Sequence, residues 1–289
     1  MILILCREKT FDVLTLDKEL TSTLNVDVLS LMPNELSLEF MDQKKISLRH
    51  RGDLLEPELI IGWTSLHQKD NGNTLLSILR KNGYKVLNND ENLGLAQNKI
   101  LNSSILRAYG IPNIRTFLVG NLTDAVRIAS ELSYPLVLKP LIGAKGEGIR
   151  KISSKEQLID ETEVIFSNNE MICMQECINK PERDIRVRVI GYKAEFAFYR
   201  FVGPDGFITN LSKGSHWEEA HLDETLRSLA EKAAIAFNAP IAGVDIVEDI
   251  DTGELKVIEV NATPAITWPY EKTVKTLVSY VETLLKEEN

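Results

Sequence analysis

Three polar side chains sit in apolar, strand-like runs near the end of the sequence. Asp245 lies in Gly243-Val244-Asp245-Ile246, and Glu259 and Asn261 lie in Ile258-Glu259-Val260-Asn261. A carboxylate in such a run is costly unless it is paired or bound to a cation. Residues two apart on a strand share a face. Glu259 and Asn261 therefore point the same way, and with Asp245 on a neighbouring strand they form an all-oxygen donor set suited to Mg²⁺ holding a nucleotide's phosphates. The competing explanation is polar groups buried against backbone partners; with Asp245 counted, the cation is the better one.

A second cluster is Lys139-Pro140-Leu141-Ile142-Gly143-Ala144-Lys145-Gly146-Glu147-Gly148, a lysine at a strand end followed by a glycine-rich turn. Glycines let backbone amides converge on anionic oxygens, and the lysine supplies a point charge. The turn leads into a strand, so it matches neither the Walker pattern nor the dinucleotide fingerprint. Alone it fits a phosphate lid and a plain hairpin turn equally. Gln175-Glu176-Cys177-Ile178 ends a buried strand and, alone, reads as nothing more. Asp184, Arg186 and Arg188 alternate with Ile185, Val187 and Val189, which puts three charges on one strand face, ordinarily a solvated one. Arg200 ends the next strand and can join that surface. No zinc spacing involves His216 or His221, and no nucleophile elbow occurs.

Strands are predicted at Ile2–Leu5, Val26–Leu29, Leu59–Gly62 and Tyr84–Leu87, with a helix over Thr74–Lys81, giving a small parallel α/β domain. From Asn92 one helix should run to about Tyr109, stopped by Gly110 and Pro112. Then come strand 115–119, a helix over 123–132 with Thr123 as its N-cap, strand 136–139, the glycine-rich turn, strand 149–152, a helix over 155–165 capped by Ser153 or Ser154, and strand 171–176. The last third pairs strands 185–190 and 194–201 across Gly191-Tyr192, and 244–247 and 255–260 across Asp251-Thr252-Gly253. Helices cover 222–237 and 270–286.

With 289 residues the chain can bury a sizeable core without disulfides. Its net charge of −9 disfavours nucleic acid as a partner. The basic run Lys44, Lys45, Arg49, His50, Arg51 reads as a solvated edge. Cys6, Cys173 and Cys177 cannot form a disulfide framework, and Cys173 and Cys177, four apart in an apolar run, read as small buried hydrophobes rather than a metal site. The apolar run Ile2–Cys6 is too short for a signal h-region, and no stretch approaches the roughly 18 apolar residues of a membrane span. The sequons at Asn102, Asn121, Asn210 and Asn261 carry no weight without secretion. A reduced, cytoplasmic protein that binds no membrane is expected.

Taken in order, the pieces are Gln97-Asn98-Lys99, Leu-Lys-Pro-x-x-Gly-x-x-Gly-x-Gly, Gln-Glu-x-Ile, Asp-Ile-Arg, Thr-Asn, Val-Asp-Ile and Glu-Val-Asn-x-x-Pro. This series resembles the ATP-grasp ligases, most closely the RimK-type α-L-glutamate ligase group. That group includes enzymes of lysine and arginine biosynthesis and glutamate ligases of methanopterin and deazaflavin cofactors. The resemblance spans the whole chain and is closest over residues 93–265. It implies an ATP-grasp α/β (α+β) fold: an N-terminal α/β domain over 1–93, a lid subdomain over 94–172 and a C-terminal subdomain with the metal site over 173–289.

The resemblance also implies roles. Lys99 and Lys139 would contact ATP phosphates, beneath a lid turn containing Gly146 and Gly148. Glu176 and Cys177 would meet adenine through backbone, with Ile178 packed beside it. Asp184 would lie near the ribose, and Ile208-Thr209-Asn210 would touch the nucleotide. Asp245, Glu259 and Asn261 would hold two Mg²⁺, with Mn²⁺ able to substitute. Arg186 and Arg200 would face phosphoryl and carboxylate groups. Where many relatives carry Arg-Gly-Gly, this chain has Leu211-Ser212-Lys213-Gly214, so Lys213 keeps a cation in an altered turn. Ala265-Ile266-Thr267-Trp268-Pro269 likewise replaces a more usual glycine-containing stretch.

The reaction so implied is carboxylate–amine ligation. The acceptor carboxylate takes the γ-phosphoryl group to give an acyl phosphate and ADP, and an amine, glutamate foremost, displaces phosphate. The acceptor would be a carboxylate of a small molecule, cofactor or peptide, and the enzyme a homo-oligomer, dimer or tetramer. Crosslinking of a precursor peptide, a regulatory nucleotide-binding module without turnover, and a kinase are the alternatives.

Overall fold

The computed structural model describes residues 1–42, 45–64, 71–143, 146–202, 216–266 and 270–287. The apolar run β1 (Ile2–Cys6) is buried along its whole length, as a parallel strand covered on both faces must be. Helix α1 (Phe11–Leu24) follows, opened by the Thr10 hydroxyl accepting from the Val13 amide and closed by Asn25 in the left-handed region. Strand β2 (Val28–Leu31) runs parallel to β1, two residues later than its apolar run suggests. Strands β3 (Ser37–Asp42), β4 (Lys45–His50) and β5 (Asp53–Leu55) form a small antiparallel sheet that the sequence reading lacks, as it lacks α1. Strand β4 carries Lys45, Arg49 and His50 of the basic run. Arg49 donates to Glu39 and to the Gly52 carbonyl, and the His50 ring meets the Glu35 carbonyl. Strand β6 (Leu59–Trp63), helix α2 (Gly72–Lys81) and strand β7 (Val86–Leu87) complete a parallel sheet of order β2-β1-β6-β7.

The single helix expected from Asn92 is two, α3 (Asp90–Gln97) and α4 (Lys99–Ala108). Asn98 between them is extended, and its side chain accepts from the Ile100 and Leu101 amides. A carboxamide that satisfies orphan amides ends one helix and starts another. Strand β8 (Thr116–Val119), helix α5 (Leu122–Leu132), strands β9 (Leu136–Lys139) and β10 (Arg150–Ile152), helix α6 (Lys155–Ser167) and strand β11 (Ile172–Glu176) make the central unit. Its sheet is antiparallel, in the order β10-β9-β11-β8. Asn121, not Thr123, caps α5, and Ser154 caps α6. The boundaries drawn from sequence near 93 and 173 fall inside α3 and β11.

Strands β12 (Arg183–Ile190), β13 (Lys193–Phe201) and β14 (Trp217–Ala220), helix α7 (Glu224–Ala236), strands β15 (Ile241–Glu248) and β16 (Leu255–Asn261) and helix α8 (Tyr270–Lys286) follow. The five strands form an antiparallel sheet, β14-β13-β12-β15-β16. Gly191 and Tyr192 turn the first hairpin with φ of 60° and 64°.

One core joins the N-terminal sheet, α3, α4, α7 and the five-stranded sheet through residues such as Leu3, Ile60, Leu93, Leu106, Val187 and Val260. A second joins β1, α1 and β6 to α8. The central unit has a third core of its own, around Leu136, Leu138, Leu158 and Met174. Among the described residues no helix is long and apolar enough to cross a membrane.

Candidate active site

Register across the five-stranded sheet assembles the charges. Asp184 on β12 lies opposite Arg200 on β13, and Arg186 on β12 lies opposite Asp245 on β15. Asp245 in turn faces Glu259 on β16, and Gly243 faces Asn261. The side chains complete these pairings. Arg200 Nε and Nη2 donate to the two Asp184 oxygens at 2.7 and 2.8 Å. Arg200 Nη2 also lies 3.0 Å from Asp245 Oδ2. Arg186 donates to both Asp245 oxygens, through Nε to Oδ1 and through Nη2 to Oδ2 at 2.7 Å.

Both carboxylates are buried, Asp184 at 4% and Asp245 at 5% side-chain exposure, so their pairing is obligatory. Burial alone would raise the Asp245 pKa, but the guanidiniums of Arg186 and Arg200 outweigh it and hold the carboxyl below its usual range. For Arg200 burial pulls the other way, and Asp245 and Asp184 more than compensate, raising its pKa. Gly243 makes room for this ladder. A Cβ there would stand 2.7 Å from Arg186 Nη1.

The Asn261 amide nitrogen sits among three oxygens: Glu259 Oε1 at 3.2 Å, and Asp245 Oδ2 and the Gly243 carbonyl at 3.4 Å each. Such a convergence of oxygens is what a hard divalent cation requires, and a half-turn of the amide would add its own oxygen. The residues present therefore fit Mg²⁺. Among the described residues no three His, Cys, Asp or Glu side chains gather; two carboxylates, Asp245 and Glu259, lie beside the Asn261 amide, and Asp245 is also held by Arg186 and Arg200.

The central sheet brings its own cations toward these acids. Lys139, at the end of β9, is partly buried, and desolvation lowers its pKa while the Glu259 charge opposes the shift. Lys99 opens α4 and donates from Nζ to the Gly143 carbonyl at 3.0 Å; its amide donates to the Leu141 carbonyl at 2.9 Å. The break at Asn98 makes this possible, because Asn98 bridges Ile142 as a strand residue would. Gly146 and Gly148 have φ of 72° and 70°, and a Cβ on Gly148 would press on the Pro140 ring at 3.2 Å.

The RimK-like ATP-grasp domain family matches residues 96–280. This chain belongs to that family. It is a ligase of the ATP-grasp class. The α-aminoadipate–LysW ligase LysX of Saccharolobus solfataricus is 36% identical over 197 residues, 67% of this chain and 70% of LysX. The tetrahydromethanopterin:α-L-glutamate ligase of Methanosarcina acetivorans is 32% identical over 217 residues, covering 66% of this chain and 67% of that enzyme. In fold, the ATP-grasp ligase PsnB, solved with a minimal precursor, superposes with a TM-score of 0.76 at 18% identity, over 100% of this chain and 99% of PsnB.

In this RimK-like chain Glu176 is bound on several sides. Its amide donates to the Arg115 carbonyl, and its Oε1 accepts from the Arg115 amide at 3.0 Å and lies 3.8 Å from Lys256 Nζ. Cys177 and Ile178, just beyond, are partly buried. The predicted nucleotide contacts Ile208, Thr209 and Asn210 and the cation Lys213 lie outside the described residues. Arg188, which alternation sets on the same face as Asp184 and Arg186, is a further charged residue here. It is 2% exposed, donates from Nη2 to the Ala265 carbonyl at 2.5 Å, and burial, with Arg186 adding, brings its pKa down to about 9.

Lys139→Met should weaken binding of a non-hydrolysable ATP analogue by about tenfold or more, since a charge-assisted contact contributes some 1.5–3 kcal/mol. Parental affinity in a calorimetric titration would remove Lys139 from the phosphate site.

Proposed function

We propose that the chain activates a substrate carboxylate as an acyl phosphate at the expense of ATP, releasing ADP, and joins it to an amine, with glutamate the leading candidate. The observation carrying this is the ladder Asp184–Arg200–Asp245–Arg186 beside Glu259 and Asn261, toward which the partly buried Lys139 brings a cation from another sheet. Phosphoryl transfer asks for positioning and charge neutralisation, and this array supplies both. LysX and the methanopterin enzyme, by their names an α-aminoadipate ligase and a glutamate ligase, support the acid–amino-acid class.

Lys99 and Lys139 hold the phosphates at the glycine-rich turn. The main chain of 176–178 meets the purine edge, Glu176 through its carbonyl because its amide is engaged by Arg115. With both Asp184 oxygens on Arg200, that carboxylate acts on the ribose side chiefly by fixing the guanidinium. Arg186 and Arg200 steady the carboxylate as its charge passes to the phosphoryl oxygens. Asp245, Glu259 and Asn261 would hold divalent cations, whose chemistry is to neutralise phosphate charge. Two ions, Mn²⁺ in place of Mg²⁺, a homo-oligomer and a cytoplasmic setting complete the proposal.

The test is an ADP-release screen of amino acids crossed with candidate carboxylates, followed by mass spectrometry of the products. Labelled glutamate should enter the product with ADP and phosphate released. Another amine entering with ADP release would overturn the choice of glutamate, and AMP with pyrophosphate would overturn the mechanism. Intramolecular amide or ester bonds in a peptide would instead favour precursor crosslinking.

A further inference from the structure

Strand β16 carries Glu259 and Asn261 and lies at the edge of its sheet. An edge strand leaves every second residue's amide and carbonyl pointing away from its neighbour, unsupported. Here buried carboxamides on another part of the chain take that outer edge. Asn102, one turn into α4 and 2% exposed, accepts from the Val260 amide at 3.2 Å and donates to the Val260 carbonyl at 2.9 Å. Asn88, 1% exposed, donates to the Ala262 carbonyl at 2.6 Å. It also accepts from the Ile241 amide and donates to the Ile241 carbonyl, at the start of β15.

The geometry points to Asn102 and Asn88 as positioning residues for the cation's ligands. Asn102 grips Val260, the residue between Glu259 and Asn261, and Asn88 grips the residue after Asn261. A carboxamide presents a donor and an acceptor side by side and so substitutes for the missing strand, which neither an apolar nor a hydroxyl side chain of that length can do. The same helical turn reaches the phosphate side, because Lys99, three residues before Asn102, holds the Gly143 carbonyl. One turn of α4 thus sets the spacing between the glycine-rich turn and the metal strand. This inference rests on reading Glu259 and Asn261 as ligands.

The experiment measures Mn²⁺ binding by loss of the free-ion electron paramagnetic resonance signal, in the presence of a non-hydrolysable ATP analogue. Deuterium uptake over 257–262 is followed in parallel, for Asn102→Ser, Asn102→Leu, Asn88→Ser and a Glu259→Gln control. Folded Asn102 and Asn88 variants should bind Mn²⁺ about tenfold more weakly and exchange faster over 257–262, with uptake over 116–139 unchanged. If Asn102→Leu does not fold, the two serine variants decide. Parental Mn²⁺ affinity in both serine variants overturns the proposal. If Glu259→Gln itself binds Mn²⁺ as the parent does, the ligand reading has failed, and exchange alone judges the clamp: faster uptake over 257–262 upholds it, and parental uptake overturns it.

Discussion

Replacing Glu259 by Gln is expected to abolish turnover while the protein stays folded. Glu259 is only partly buried, and its Oε1 accepts the Asn261 amide at 3.2 Å, a bond a glutamine oxygen can still accept. The substitution is nearly isosteric, so packing between β15 and β16 is kept and only the charge is lost. That charge faces Asp245 across the strand pair and acts on Lys139 from the other sheet. Its loss removes one of two carboxylates able to hold a divalent cation, and a drop in kcat of about 10³-fold is expected. ADP release at saturating Mg²⁺ and a thermal melt check both halves. Near-parental turnover would falsify the assignment of Glu259 to the metal.

Asp245 should behave differently, since its removal costs stability. Its carboxylate is buried between two guanidiniums, and without it Arg186 loses the acceptor of both its donated hydrogen bonds. Breaking one side of a buried pair costs about 3–5 kcal/mol, and Asp245→Leu should lower Tm by about 10 °C. Adding Arg186→Met should return most of the loss, because an apolar pair of similar volume is nearly neutral there. The pH dependence has a fixed sign. The folded pKa of Asp245 is depressed, so its contribution is complete above the ordinary carboxylate range and is lost as pH falls below about 4 toward the folded value. The parent–variant gap in Tm should therefore be wide at pH 7 and narrow in acid. A gap independent of pH, or a double variant no better than the single, would show that the ion pair is not what Asp245 contributes.

The faces of the site were legible in the sequence, but its pairings were not. Period-two alternation places Asp184, Arg186 and Arg188 together, and Glu259 with Asn261, because strand geometry is local. Which acid meets which guanidinium depends on register between strands as distant in sequence as β12 and β15, and no local pattern encodes that. The same limit hid α1, whose threonine-rich run has a weak apolar face, and the β3–β5 sheet, whose charges read as an edge. The break at Asn98 was missed because Asn92–Tyr109 keeps one helical period throughout; Asn98 itself, a good capping residue, was the available signal. Asn102 reads in the sequence only as a glycosylation sequon, yet it is buried and engaged with Val260, and its neighbours give no hint of that partner.

Val274, Leu277, Val278 and Val281 of α8 share a core with Ile2, Ile4, Leu16 and Leu20. The two ends of the chain are thereby a single purchase on one another, while the central unit closes on itself. For anyone building chimaeras among these ligases, the exchangeable cassette is the central unit and not the N-terminal sheet. A graft of the first ninety residues from a relative must bring that relative's closing helix with it, or it will present a foreign wall to α8.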